Sequence, residues 1–242
     1  MKLVVDIGNT SVTCGLFKAN LIFKKFHIQS INEFKKFIDN QLLFDLEKII
    51  ISSVVPNLTM EYSDFFKKNY NKEIILIDYN LSKLSLKVIA PETIGNDRIC
   101  NIFCTIKLYD TPSIIVDFGT ATTYDVINSN NEFIGGAIGA GIETSANYLI
   151  NNAALLSKID LQFPNKAIGK DTKENIQSGI MYGAIDQVEG MIKRIQKEKN
   201  DHYTTILTGG FSRLLSPYLS IEHILDMDLT LKGIYYIDEF NS

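Results

Sequence analysis

Apolar and polar positions alternate in short stretches at the start of the chain, then repeatedly give way to a helical rhythm. Residues 2–6 are an apolar run ending in Asp6-Ile7-Gly8-Asn9-Thr10, and residues 11–17 and 21–27 alternate as strands do. This predicts a hairpin-rich opening. Residues 31–44 carry Phe34, Phe37, Ile38 and Leu42 at helical spacing. Residues 48–55 read as a buried strand, 58–70 as a helix and 73–77 as a strand. A helix follows over 95–108, marked by Ile99, Ile102, Phe103 and Ile106. Strands alternating with helices predict an α/β architecture.

The second half repeats the first. Leu3-Val4-Val5-Asp6-Ile7-Gly8-Asn9-Thr10 returns as Ile114-Ile115-Val116-Asp117-Phe118-Gly119-Thr120-Ala121, followed by strand-like residues 122–127. The repeat predicts two related halves, 1–110 and 111–242, with a cleft between them. The join lies within 90–112, where no Pro/Gly/Ser-rich linker occurs. The run Gly135-Gly136-Ala137-Ile138-Gly139-Ala140-Gly141 is too rich in glycine for a regular element, and a helix over 142–157 is expected after it. Residues 172–199 form a long amphipathic helix with Ile176, Ile180, Ala184, Val188, Met191 and Ile195 on one stripe. A strand over 204–207 ends in Thr208-Gly209-Gly210, with a helix from Phe211.

Composition narrows the function classes. The 242 residues are 45% hydrophobic and 21% charged, with a net charge of −4. Such a chain builds a core, and it lacks the basic surplus of a nucleic-acid binder. The basic cluster Lys193, Arg194, Lys197 and Lys199 is mixed with Glu198 and reads as a solvated helix end. The apolar run 49–55 falls well short of the ~18–20 residues that span a bilayer. Asp6 interrupts the place where a secretory peptide needs its apolar region, so a cytoplasmic protein is expected. Cys100 and Cys104 have no neighbouring His or third Cys for a zinc site, and all three cysteines read as small buried hydrophobes. His27, His202 and His223 lie outside every motif and read as structural.

The Asp-x-Gly turns carry the chemistry. An Asp at the mouth of a rigid strand can hold a hydrated Mg²⁺, the Gly lets backbone approach a phosphate, and the next polar residues supply donors. One such turn is a common structural feature. Two in matching places, with Thr208-Gly209-Gly210 downstream, point to a nucleotide. Neither a G-x-x-x-x-G-K-[ST] loop nor the protein-kinase motif set is present.

The two turns and the Thr-Gly-Gly segment resemble the acetate and sugar kinase/Hsp70/actin superfamily. More narrowly, Asp6-Ile7-Gly8-Asn9-Thr10, Gly95-Asn96-Asp97-Arg98, Asp117-Phe118-Gly119-Thr120-Ala121-Thr122-Thr123 and the ending Asp228-Leu229-Thr230-Leu231-Lys232-Gly233-Ile234 are similar to type III pantothenate kinase. The resemblance spans nearly the whole chain. It implies two actin-like, RNase H-like halves, each a mixed sheet flanked by helices, with the active site between them. The second half would carry the second phosphate turn, the adenosine segment and a dimer helix. It implies ATP-dependent phosphorylation of the primary hydroxyl of pantothenate to 4′-phosphopantothenate, the first step of coenzyme A synthesis.

Residue by residue, the resemblance makes Asp97 the catalytic base and Gly95, Asn96, Asp97, Arg98 and Thr172 the pantothenate-binding residues. Asp6, Ile7, Gly8, Asn9, Thr10, Ser11, Val12, Thr13 and Thr120 would bind ATP. Asp117 would bind a monovalent cation, K⁺ or NH₄⁺, and Asp6 would be the carboxylate on the Mg²⁺ side through water. A first-turn carboxylate is kept ionised by the helix dipole. It is a weak base, with an ordinary pKa near ~3.9, which a loose phosphoryl transfer tolerates. A guanidinium at Arg98 suits a substrate carboxylate. By spacing alone Asp97 is equally a helix cap, Arg98 a surface ion-pair partner and Thr172 a plain N-cap. Gly179, Gly183 and Gly190 in the long helix are consistent with the family's homodimer, or with close packing inside one subunit. Neither nucleic acid nor membrane is an expected partner. The chain departs from the family pattern at Asn96 (usually Ala), in the stretch around Val88, where no Tyr precedes Pro91, and at Ala140 (often Pro). The rival readings are a related kinase for another small hydroxy compound and a non-catalytic regulatory relative.

Overall fold

The computed structural model describes residues 1–37, 45–70, 72–152 and 159–242. These divide into two compact units, Met1–Tyr109 with Asp228–Ser242, and Asp110–Met227. The expected boundary put 111–242 together. The last helix instead belongs with the first unit, because its apolar face is buried there.

In the first unit, β1 (Lys2–Ile7), β2 (Val12–Lys18) and β3 (Leu21–Ile28) form an antiparallel meander. On the other side of β1, β4 (Lys48–Ser53) and β5 (Glu73–Leu76) run parallel to it, in the order β3-β2-β1-β4-β5. Strand alternation sorts the side chains onto two faces. Leu3, Val5, Ile49 and Ile51 meet Phe34 of α1 (Ile31–Phe37) and Tyr62 and Phe66 of α2 (Pro56–Tyr70). The expected helix over 31–44 is thus seen to Phe37, and residues 38–44 lie outside the described residues. A short α3 (Tyr79–Ser82) and β6 (Ser85–Leu86) follow. On the opposite face, Val4 and Ile50 pack against Ile99, Cys100 and Phe103 of α4 (Asn96–Leu108).

The second unit repeats this topology. β7 (Ser113–Phe118), β8 (Ala121–Ile127) and β9 (Glu132–Ala140) form the meander. The remaining strands of this unit are β10 (Thr204–Thr208), parallel to β7, and β11 (Ile224–Leu225), parallel to β10. The glycine-rich run 135–141, expected to be irregular, is mostly strand. A Cβ at Gly136 would lie 1.8 Å from the Tyr124 carbonyl oxygen, so the close approach of β9 to β8 requires glycine there. α5 (Ile142–Asn152) covers the described part of the expected 142–157 helix; residues 153–157 lie outside the described residues. The long helix α6 (Thr172–Lys199) matches the expected span. Its buried centre is Met181, Ala184, Ile185, Val188 and Ile192, rotated from the expected stripe, whose Ile180, Met191 and Ile195 are only partly buried. A single turn, α7 (Ser212–Leu215), follows β10.

The final helix α8 (Leu229–Asn241) returns to the first unit. Leu231, Ile234 and Ile237 enter its core, and Tyr235 stacks on Phe17 at 4.5 Å. Glycine at 233 lets α8 meet α4, since a Cβ there would lie 2.0 Å from the Cys100 carbonyl oxygen. The nearly buried Asp238 carboxylate accepts from Lys2 Nζ at 2.5 Å and Lys48 Nζ at 3.1 Å. Burial alone would lower the Lys2 pKa, but hydrogen bonds to Asp238 and Glu239 outweigh it and raise the value.

Candidate active site

In the first unit, Asp6 ends β1 in register with Thr13. The Gly8 N–H donates to the Ser11 carbonyl at 3.1 Å and closes the turn, leaving Asn9 and Thr10 exposed at its tip and Ser11 half-buried. Ile7 and Val12 are buried beneath it. Thr13 Oγ1 shares a hydrogen bond with His27 Nδ1 at 3.0 Å. Burial, then the charge of Lys25, lowers the His27 pKa against the opposing pull of Asp228. His27 therefore borders this turn, although nothing in the sequence order marks it: β3 brings it there.

Gly95 precedes α4 without a capping side chain. Asp97 Oδ1 accepts the Arg98 N–H at 2.8 Å, and a Cβ at Gly95 would lie 2.5 Å from that oxygen. The glycine thus opens the space into which the carboxylate folds back over the helix N-terminus, where the dipole favours its charge. Asp97 is half-buried, as is Arg98. Asn96 Nδ2 donates to the Ser53 carbonyl at 3.1 Å, tying the start of α4 to the end of β4. This is how the departure from alanine is used. Burial, then the negative charge of Asp6, raises the Cys100 pKa, with Asp97 adding to it. Cys14 is raised by burial and Asp6 as well. All three cysteines are free and buried, as expected.

In the second unit, Asp117 lies in register between Thr123 of β8 and Thr208 of β10. Three glycines shape its turn. The Gly119 N–H donates to the Ala121 carbonyl at 3.1 Å. A Cβ at Gly141 would lie 2.4 Å from the carbonyl oxygens of Gly119 and Thr120. Gly209 adopts φ +87°, and a Cβ on it would lie 2.3 Å from Asp117 Oδ1 and 2.6 Å from the Phe118 nitrogen. The Thr120 carbonyl accepts the Gly141 N–H at 3.1 Å and the Thr144 hydroxyl at 2.6 Å, while the Thr120 residue is exposed. The sequence marked Gly209 only as part of a helix start. The structure makes it a wall of the Asp117 turn.

Thr172 is the exposed first residue of α6, and the cap is Asp171, whose carboxylate accepts the Glu174 N–H at 2.8 Å. Glu174 accepts the Lys170 N–H, one residue before the cap, at 2.7 Å, so the two acidic side chains hold the helix start between them. The plain N-cap role therefore falls to Asp171, not Thr172. A Cβ at Gly179, Gly183 or Gly190 would meet nothing within 4 Å among the described residues, so close packing among those residues does not require glycine there. His223 bridges Ser216 at 2.7 Å and the Ile221 carbonyl at 2.8 Å, a structural role.

Among the described residues, no three His, Cys, Asp or Glu side chains group as a metal-binding cluster. Nor is any described helix long and apolar enough to cross a membrane.

The family model for type III pantothenate kinase matches residues 2–194. The type III pantothenate kinase of Sulfurihydrogenibium sp. (strain YO3AOP1) is 38% identical over 253 residues, covering 99% of this chain and 100% of the relative. That of Bacillus cytotoxicus is 35% identical, covering 100% and 97%. Among solved structures, a protein from Campylobacter jejuni assigned to the Baf family of transcriptional activators superposes with a TM-score of 0.64 at 22% identity, over 99% of this chain and 98% of that one. The activator of 2-hydroxyisocaproyl-CoA dehydratase from Clostridium difficile superposes with a TM-score of 0.58 at 14% identity, over 99% and 95%. At these identities the two structures establish the actin-like fold alone.

Proposed function

The chain belongs to the type III pantothenate kinase family, and on that premise we propose that it transfers the terminal phosphoryl group of ATP to the primary hydroxyl of pantothenate. The product is 4′-phosphopantothenate, and the reaction opens coenzyme A synthesis. The observation that carries the catalytic assignment is the Asp97 carboxylate, held at a helix N-terminus by the Arg98 N–H at 2.8 Å. There it accepts the hydroxyl proton as the phosphoryl group passes from ATP to the hydroxyl oxygen. The Arg98 guanidinium pairs with the pantothenate carboxylate, and Thr172 supplies a further polar contact.

The Asp6–Thr13 turn and Thr120 bind the ATP phosphates. Mg²⁺ usually takes one or two carboxylates and keeps its waters and the substrate phosphates, so a lone Asp6 fits it without a cluster. It would neutralise charge on the transferring group. Asp117, between two threonines, suits a monovalent cation, K⁺ or NH₄⁺. The exposed Gly179 and Gly183 and the half-buried Gly190 suit a homodimer, and sedimentation velocity should give twice the chain mass. The working compartment in this reading is the cytoplasm.

A coupled assay of ADP release tests the proposal. Turnover should require pantothenate and Mg²⁺, exceed in K⁺ or NH₄⁺ the rate in Na⁺, and fall about 10²–10⁴-fold in Asp97→Asn, the range for loss of a general base. ADP release independent of pantothenate would overturn the substrate, and an active Asp97→Asn would overturn the base.

A further inference from the structure

The polar row beside Asp6 holds a residue that neither the sequence motifs nor the family resemblance singles out. Asp6 stands opposite Thr13 on one side and opposite Ser52 of β4 on the other. Directly opposed residues of neighbouring strands project from the same sheet face, with backbones about 4.8 Å apart. The Thr13 hydroxyl is engaged by His27. The Ser52 side chain is fully buried, and its hydroxyl has no hydrogen-bond partner of ordinary geometry among the described residues.

Packing gives no reason for a hydroxyl there. Val4 and Ile50, one step back along the same face, lie in the apolar layer beneath α4. Alanine would complete that layer without stranding a donor. On α4 the Ser52 hydroxyl approaches the Cys100 sulfur, close enough to oppose the rise in its pKa that burial and the charge of Asp6 produce. A thiol is a weak partner. A buried donor with only this weak sulfur contact therefore sits in register with the carboxylate that the proposed function sets on the Mg²⁺ side.

We infer that Ser52 is a positioning residue for Asp6. When the cation-bound nucleotide is present, its hydroxyl turns to donate to one Asp6 carboxylate oxygen, leaving the other for the hydrated cation. Ser52 itself touches no substrate. This assignment rests on the reading of Asp6 given above.

The test compares Ser52→Ala with Ser63→Ala. Ser63 is a second buried hydroxyl without a partner, on α2, which packs against the other face of the sheet. Both variants should keep a Tm at or above that of the parent chain. Only Ser52→Ala should lower kcat, about tenfold, the loss expected for a hydrogen bond to a charged group. It should also raise the Mg²⁺ concentration needed for half-maximal rate, leave KM for pantothenate unchanged, and shrink the rise in Tm produced by MgATP. Ser52→Cys, which keeps the bulk and weakens the donor, should shift the same quantities in the same direction. The double variant Asp6→Asn/Ser52→Ala should be no worse than Asp6→Asn alone. If Ser52→Ala matches Ser63→Ala in kinetics and in the MgATP shift, or only lowers Tm, Ser52 is a packing residue and the inference falls. If Asp6→Asn itself leaves the Mg²⁺ requirement and the MgATP shift unchanged, the reading of Asp6 has failed instead.

Discussion

The two units repeat one five-strand order and one Asp-x-Gly turn, but the turns are supported differently. The Asp6 turn is a hairpin tip, closed by one backbone hydrogen bond, with Asn9 and Thr10 exposed. The Asp117 turn is walled by Gly141 and Gly209, each so close that a side chain would displace backbone or crowd the carboxylate. A repeated sequence thus yields one turn with room to adapt and one that is built in advance. The units also close differently. The first recruits α8 from the far end of the chain, and the second is a continuous segment.

The largest effect should come from breaking that long-range closure. Asp238→Ala leaves Lys2 and Lys48 without their buried partner, and should cost about 3–5 kcal/mol in urea unfolding, as loss of one member of a buried ion pair does. A cost under about 1 kcal/mol, the range of exposed pairs, would show that the helix is held by its apolar face alone. Next, Gly209→Ala and Gly8→Ala sharpen the contrast between the turns. At Gly209 a Cβ meets both a left-handed φ and the Asp117 turn, so about 3 kcal/mol is expected. At Gly8 the nearest atom is the Ser11 carbonyl oxygen at 3.3 Å, and about 0.5 kcal/mol is expected. Equal costs would remove the distinction. The smallest effect concerns pH. The His27 pKa is lowered in the folded chain, so the unfolded chain binds its proton more readily. Its contribution is present above the ordinary value near ~6.5 and is lost as pH falls through the lower folded value. Unfolding midpoints should therefore fall slightly more between pH 7 and 5 in the parent chain than in His27→Asn.

Much of the fold could be read directly from the chain. The alternating opening, the helix at 172–199 and the strand at 204–207 all follow from local periodicity, because the solvent-facing and core-facing positions recur at fixed intervals. The paired Asp turns are legible for the same reason: a strand, an acid and a glycine are contiguous. Where reading failed, a distant partner decided. The glycines of β9 look like a breaker until the Tyr124 carbonyl of β8 closes on Gly136. The final helix looks like the end of the second half until Asp238 meets Lys2.

The sequence by itself determined the reaction class and the residues with chemistry to offer, since Asp6, Asp97, Arg98 and Asp117 lie in contiguous motifs whose local geometry follows from strand-turn and helix-start rules. Only the tertiary structure decided which side chains surround them. His27 reaches Thr13 through β3, β4 sets Ser52 opposite Asp6, and Gly209, just after β10, comes up against Asp117. The physical reason is that register between strands depends on hydrogen bonds and burial across the whole sheet, and no local run of residues encodes it.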